Sequence, residues 1–270
     1  MPSNSASTPV DSSQTAPLLV HVPLTNEQRQ SILAHTGLEI GAFAYRSQAR
    51  RLRCRFGGVT LHVPRGVFVP TAATESAVTA AREAAASRNT PVIVDVGTGS
   101  GAVALSLARG LPGASVYATE ISELAVKCAR RNRSRLRVRN AHILRGSLLD
   151  PLPRRLRGRV TVIVGNIPYV PPDTTHFGAQ LFPAGTAIGS GADGLDLIRD
   201  LARNARDFLE PGGTLVLQLA EHQWPNFAPE LEALGYTRPS ASGAYPRQPI
   251  IGVATWPSGP PATRTRAADL

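Results

Sequence analysis

One segment constrains this chain more than any other: Asp95-Val96-Gly97-Thr98-Gly99-Ser100-Gly101, which closes the apolar run Val92–Val96 and leads into an alanine- and leucine-rich stretch from Ala102. Glycines at alternate positions between a β-prone and a helix-prone stretch make a turn tight enough to bring backbone close to a ligand. A turn of this kind sits at the carboxyl end of a parallel strand. The sequence beyond Pro91 agrees. β-prone runs at Ser115–Thr119, His142–Arg145, Val160–Val164, Thr214–Leu219 and Pro249–Trp256 alternate with helix-prone runs at Ala102–Arg109, Ser122–Arg131, Leu195–Phe208 and Pro229–Leu234. That alternation predicts an α/β fold with a doubly wound, mostly parallel sheet.

Upstream, Leu52–Phe56 and Val59–Val63 flank Gly57-Gly58 and read as a β-hairpin, and Ala72–Ala86 reads as a helix. Thr25–Glu27 reads as the start of a short helix running to about His35. The Ser/Thr/Pro-rich residues 1–20 and the polar residues 258–270 read as disordered tails. The expected organisation is a small helix-and-hairpin region over 21–88 and a ligand-binding domain over 89–257.

Composition excludes several classes. Two cysteines, Cys54 and Cys128, are too few for a disulfide scaffold or a four-cysteine zinc site, and no metal-ligand spacing is present. No apolar run reaches membrane-spanning length, so no membrane partner is expected. The N-terminus has no basic region leading into an apolar one, which points to a cytoplasmic protein. The net charge of +10 comes almost wholly from arginine, since Lys127 is the sole lysine. Such a charge fits either a phosphate-bearing partner or a bias toward arginine on solvated faces. The second is preferred, because nothing else resembles a nucleic-acid module. The densest run, Arg130, Arg131, Arg133, Arg135, Arg137 and Arg139, is placed beyond the end of a helix, where cations suit the dipole.

The glycine turn alone is ambiguous, because Gly97, Gly99 and Ala102 also satisfy the dinucleotide pattern G-x-G-x-x-A. Glu120, at the end of the next β-prone run, has the spacing of an acid that accepts both hydroxyls of a ribose. Two features then favour S-adenosylmethionine, with S-adenosylhomocysteine as product. Asp95 precedes the first glycine, where a carboxylate can help hold a cationic ligand. A second loop, Gly165-Asn166-Ile167-Pro168-Tyr169-Val170-Pro171, follows the fourth β-prone run. The expected cofactor set is Asp95, Gly97, Thr98, Gly99, Gly101, Glu120, Ile121, Ser147, Leu148 and Asn166.

The second loop is read as catalytic through Asn166, Pro168 and Tyr169. An amide or ring nitrogen is planar and weakly nucleophilic. The Asn166 carbonyl can accept its N–H, Pro168 stiffens the loop, and Tyr169 offers a flat face. Methyl transfer then rests on positioning and desolvation. Phe68, Glu75, Tyr169 and His222 are the candidate substrate-binding residues, and Tyr45 and Phe177 are candidate covers.

These motifs resemble those of the HemK-like protein-(glutamine-N5) methyltransferases, which modify peptide release factors. The resemblance covers roughly Val59–Trp256. It includes Val67-Phe68-Val69-Pro70 with Thr74-Glu75, the Asp95–Gly101 loop, Asn166–Tyr169, Gly191-Ala192-Asp193-Gly194-Leu195-Asp196, and Leu209-Glu210-Pro211-Gly212-Gly213. It implies a class I methyltransferase (Rossmann-like) sheet with an antiparallel last strand, and an acceptor amide held by the Asn-x-Pro-Tyr loop. The chain departs from the family pattern at Ile167 (usually Pro), Thr71 (usually Arg), Ser147 (often Asp) and Gln218 (usually Glu), and its N-terminal helical region is shortened to about residues 20–55.

The first expectation is therefore methyl transfer to a protein glutamine side chain. Next comes transfer to nitrogen or carbon of a small planar heterocycle such as an indole, in secondary metabolism. Adenine-N6 methylation of nucleic acid ranks below both, and a non-catalytic binding module last. The oligomeric state is left open.

Overall fold

The computed structural model describes residues 51–171, 191–243 and 249–258. Arg51–Phe56 (β1) and Val59–Pro64 (β2) pair antiparallel around Gly57-Gly58. Seven strands form the main sheet: Val92–Val96 (β3), Ser115–Glu120 (β4), Ala141–Arg145 (β5), Val160–Gly165 (β6), Leu209–Leu219 (β7), Thr237–Ser242 (β8) and Ile250–Thr255 (β9). Their spatial order is β5-β4-β3-β6-β7-β9-β8. β3, β4, β5, β6 and β7 run parallel, whereas β9 pairs antiparallel with both β7 and β8. This is the class I methyltransferase sheet. The strand order reverses at β3, between β4 and β6, and such a reversal opens a crevice at the carboxyl ends of the strands.

Two apolar layers cover the sheet. On one face lie Ala72–Ala85 (α1), Ala102–Gly110 (α2) and Glu123–Arg135 (α3), packed with Ile93, Val162, Val164 and Val216. The hairpin joins the same layer through Phe56, Val59, Leu61 and Val63. α2 is buried from Ala102 to Ala108, and its sequence AVALSLA has no charged face to show to water. On the other face lie Asp196–Ala205 (α4) and Trp224–Ala233 (α5), packed with Val94, Ile163, Leu215 and Leu217. α4 buries Ile198, Leu201, Ala202 and Ala205, the stripe of an amphipathic helix.

Several elements differ from the sequence expectation. α3 runs to Arg135, four residues past the expected end at Arg131, so Arg133 and Arg135 also lie within the helix rather than beyond it. Burial of Val126, Ala129 and Asn132 carries the helix onward. The Arg130 and Arg133 guanidinium groups donate to the carbonyls of Ile143 and Ala141 in β5. β7 starts at Leu209 and passes through Pro211-Gly212-Gly213, where Gly212 N–H and Trp256 N–H cross-link to the Trp256 and Gly213 carbonyls. α5 begins at Trp224, five residues early, and carries Pro229 inside it; the buried pair Phe227 and Leu231 holds the turn that a proline lacking an N–H weakens. β8 was not foreseen. Its sequence TRPSAS has no apolar alternation because it is a solvent-facing edge strand, where Pro239 is tolerated. The readings of residues 1–20, the helix from Thr25, Tyr45, Phe177 and residues 259–270 fall outside the described residues.

Candidate active site

A cavity of about 310 Å³ opens where β3, β4 and β6 end. Asp95, Gly97, Thr98, Gly99, Glu120, Ile121, Ser147 and Leu148 line it, together with Asn166, Pro168, Tyr169 and Phe68. The structure thus brings together most of the residues singled out in the sequence.

The glycine turn holds itself in shape. Gly97 N–H and Thr98 N–H donate to the Thr119 carbonyl at 2.9 and 3.0 Å, and Gly101 N–H donates to the Thr98 carbonyl at 2.9 Å. Asp95 is buried. Its Oδ2 accepts from the Thr98 hydroxyl at 2.6 Å and from Ala104 N–H at 3.0 Å, so it ties the turn to the first turn of α2. Burial raises the Asp95 carboxyl to about 6, against the lowering effect of those two bonds. Gly97 has φ +70°, and a Cβ there would stand 2.9 Å from Ile167 Cγ2. The turn and the Asn166–Tyr169 loop therefore meet across a gap that only glycine leaves open. Gly101 does not line the cavity; it turns the chain into α2, with Leu105 filling the space where its side chain would be.

Glu120 is half-buried. Its Oε2 accepts from Gly99 N–H at 2.9 Å and its Oε1 from Ser122 N–H at 2.8 Å. A carboxylate has about four acceptor sites, so two bonds leave capacity for two hydroxyls. Ile121 is 69% exposed at the cavity, an apolar side chain open to a flat ligand. These residues fit S-adenosylmethionine: a carboxylate for the ribose, an apolar shelf, and a buried acid beside a turn without side chains.

Asn166 stands one residue beyond β6. Its Nδ2 donates to the Thr74 hydroxyl at 3.2 Å, and Thr74 in turn shares a hydrogen with Thr71 at 3.3 Å. Tyr169 is buried, its hydroxyl accepting from Gln218 Nε2 at 3.3 Å. Burial pushes the Tyr169 hydroxyl up to about 12, with the Gln218 bond opposing, so it keeps its proton at neutral pH.

Two expected substrate residues are not at the cavity. Glu75 is exposed and its Oε1 accepts from Gly57 N–H at 2.8 Å, so this acid pins the hairpin turn to α1. Its neighbour Thr74 takes the place facing the cavity. His222 lines a separate cavity of about 240 Å³ with Asp193 and Asn226.

Three residues with positioning contacts were missed. Gln223 Nε2 donates to the backbone carbonyls of Tyr169 and Asp193, each at 2.8 Å, while its Oε1 accepts from Ala220 N–H at 2.9 Å. It clamps the Asn166–Tyr169 loop to the segment before α4 and to the end of β7. Gly194, at φ +79°, lets that segment press on the loop, since a Cβ there would meet the Tyr169 carbonyl at 2.3 Å. Asn132 donates to the carbonyls of Ser100 and His62 and accepts from His62 N–H, which joins α3, the glycine turn and β2. The carbonyls that Gln223 and Asn132 reach are 30 to 70 residues away in the chain and leave no local signal; only the bond from Ala220 N–H to Gln223, a helix-start contact, is local.

Comparison with known proteins agrees with this geometry. The family described as Methyltransferase small domain matches residues 59–181. The release factor glutamine methyltransferase of Deinococcus radiodurans is 34% identical over 251 residues, covering 84% of this chain and 86% of that protein. The chain belongs to the HemK-like methyltransferase family. The Streptomyces coelicolor member, also described as a release factor glutamine methyltransferase, is 41% identical over 181 residues, 63% of this chain and 61% of that protein. The chain thus spans about three fifths of the length of that relative. A 4-amino-L-phenylalanine/4-methylamino-L-phenylalanine methyltransferase of Streptomyces pristinaespiralis is 36% identical over 180 residues, 62% of this chain and 59% of that protein. Among solved structures, the T. thermophilus 16S rRNA N2 G1207 methyltransferase, in complex with AdoMet and guanosine, shares this chain's fold. Its TM-score is 0.56 at 22% identity, covering 78% of this chain and 51% of that one.

Proposed function

We propose that this HemK-like protein transfers the methyl group of S-adenosylmethionine to a planar nitrogen held by the Asn166–Tyr169 loop, the glutamine side-chain amide of a protein being the first acceptor. The observation that carries this reading is the Asn166 carboxamide. Thr74 anchors it through Nδ2, which leaves Oδ1 as an acceptor at a cavity whose other wall is the glycine turn. S-adenosylmethionine supplies an electrophilic methyl on a positive sulfur. Asn166 orients the nucleophile's plane, Pro168 and Gln223 stiffen the loop, and Tyr169 lines the cavity beside it. Asp95, Gly97, Thr98, Gly99, Glu120, Ile121, Ser147 and Leu148 are assigned to the cofactor. Glu120 would take the ribose hydroxyls.

A second reading keeps the chemistry and changes the acceptor to the aryl amine of a small molecule. It is favoured by the similarity to a relative described as a 4-amino-L-phenylalanine/4-methylamino-L-phenylalanine methyltransferase. Indole-like rings and carbon acceptors rank below both.

Titration calorimetry tests the cofactor assignment. S-adenosylhomocysteine is expected to bind and NAD is not, and Glu120→Ala should weaken binding by roughly tenfold, the loss of two bonds to a charged acceptor. Binding of NAD without S-adenosylhomocysteine would overturn it.

A further inference from the structure

The hairpin and α3 together present cations without counter-charges. Residues 51–65 and 124–140 contain no aspartate or glutamate. Along β1, Cys54 and Phe56 turn into the apolar layer, so Arg53 and Arg55 stand on the exposed side, opposite His62 and Thr60 of β2. Arg65, just past β2, is exposed as well. α3 lies directly against β2. Asn132 bonds to both the N–H and the carbonyl of His62, and the Cys128 thiol donates to the same carbonyl at 3.3 Å. Burial pushes that thiol up to about 11, and the charges of Arg131 and Arg135, exposed on this flank of the helix, oppose it.

Elsewhere the arginines have partners: Arg88, Arg145, Arg157, Arg199 and Arg203 each hold a carboxylate. Arg53, Arg55, Arg65, Arg131 and Arg135 hold none among the described residues. The acids at the rim are already engaged, Glu75 by Gly57 N–H and Glu123 by Lys127 and Arg145. Like charges gathered in this way repel, and an anionic partner relieves that cost. The face also opens onto the cavity. Gly66, Val67 and Phe68, directly after Arg65, line it, as do Ser122 and Ala125 at the start of α3. From Ala125 to Arg135 the helix advances about 15 Å. An extended chain crosses that distance in about five residues. Guanidinium forks fit carboxylates and phosphates alike. Single-stranded nucleic acid, however, is held by aromatic platforms set among the cations. Phe56 is the only Phe, Tyr or Trp in either segment, and it is buried. Carboxylates need no such platform.

We infer that the exposed side of the hairpin and the adjoining flank of α3 form a docking face for an acidic protein segment, the one that carries the acceptor glutamine into the cavity. This inference rests on the proposed methyl transfer to a protein glutamine. The face sets which glutamine is presented and takes no part in the transfer itself.

The test uses two peptides, each with one glutamine flanked on both sides by about ten residues, roughly 33 Å when extended. One has flanks of aspartate and serine, the other of glycine and serine. 4-Aminophenylalanine serves as an acceptor with no flank. At low salt the wild-type protein should show a KM roughly tenfold lower for the acidic peptide, several exposed pairs each contributing modestly, and the advantage should shrink as salt is added. Arg53→Glu, Arg131→Glu and Arg135→Glu combined should reverse the preference. KM for 4-aminophenylalanine and affinity for S-adenosylhomocysteine should not change. Equal KM for the two peptides with the wild-type protein, or a triple variant that keeps the preference, overturns the docking face while the methyl-transfer reading stands. Submicromolar binding of an RNA oligonucleotide at physiological salt, lost in the triple variant, overturns the acidic partner in favour of nucleic acid. Transfer to 4-aminophenylalanine with neither peptide modified overturns the protein acceptor and this inference with it. The wild-type comparison across salt decides the matter should the triple variant fail to fold.

Discussion

At the scale of single residues, the glycine turn and the Asn-x-Pro-Tyr loop were legible because each is a local string whose chemistry does not depend on distant partners. Side chains were less legible. Glu75 and Thr74 are adjacent, and the helix start alone does not say which faces the cavity; Gly57 N–H, 18 residues away, decides it by taking the carboxylate. Asp95 carries a prediction of its own. Its folded carboxyl titrates at about 6, above the ordinary 3.8, because it is buried. It binds its proton more tightly when folded. The ligand-free protein should therefore lose stability as pH rises from about 4 through 6, by up to about 3 kcal/mol for a shift of roughly two units. Thermal melting at pH 4.5 and pH 7 should show that loss in the wild type and much less of it in Asp95→Asn. Affinity for the cationic S-adenosylmethionine should rise through the same window as Asp95 ionises. Tyr169→Phe keeps the ring and removes the hydroxyl that accepts from Gln218. Transfer should fall less than tenfold, while stability drops by about 1–3 kcal/mol for the unpaired Nε2. A hundredfold loss of transfer would instead give the hydroxyl a part in the chemistry.

At the scale of elements, β3, β4, β5 and β6 were read to within a residue, because Val160–Val164 is a continuous β-branched run and Val92–Val96 is broken only by Asp95. The edge was not. β8 lacks apolar alternation, and β7 begins before the Pro-Gly-Gly that punctuates it. Pairing with a neighbour overrides propensity there. The clamp by Gln223 also belongs to this scale, since it joins the acceptor loop, the segment before α4 and the end of β7 through one amide. Arg199 supports the same segment from behind, with its guanidinium forked onto Asp193 and Glu230 of α5. Gln223→Leu strips two buried carbonyls and one N–H of their partner. It should lower stability by roughly 2–4 kcal/mol and cut kcat more than KM for S-adenosylmethionine. A variant with wild-type melting and wild-type kcat would show that the loop is held by other contacts.

At the scale of the whole molecule, the alternation of β-prone and helix-prone runs predicted the doubly wound sheet, and the reversal at β3 puts the cavity where such sheets bind ligands. The hairpin β1–β2 shares the layer of α1, α2 and α3, packing that no turn signal reveals. Charge remains a property of the whole. Arg130 and Arg133 have structural work against β5, which reduces the case for reading the arginine run as a phosphate-binding stripe. RNA binding at physiological salt should accordingly be weak, and a submicromolar affinity falling steeply with salt would reverse that expectation. The central claim is that Asn166 presents a planar nitrogen to the methyl donor, and Asn166→Ala tests it most directly. Methyl transfer to a glutamine-containing peptide and to 4-aminophenylalanine is measured beside S-adenosylhomocysteine affinity. Transfer is predicted to fall on the order of a hundredfold through lost orientation, with affinity changed less than about twofold. Full transfer by Asn166→Ala would contradict the account.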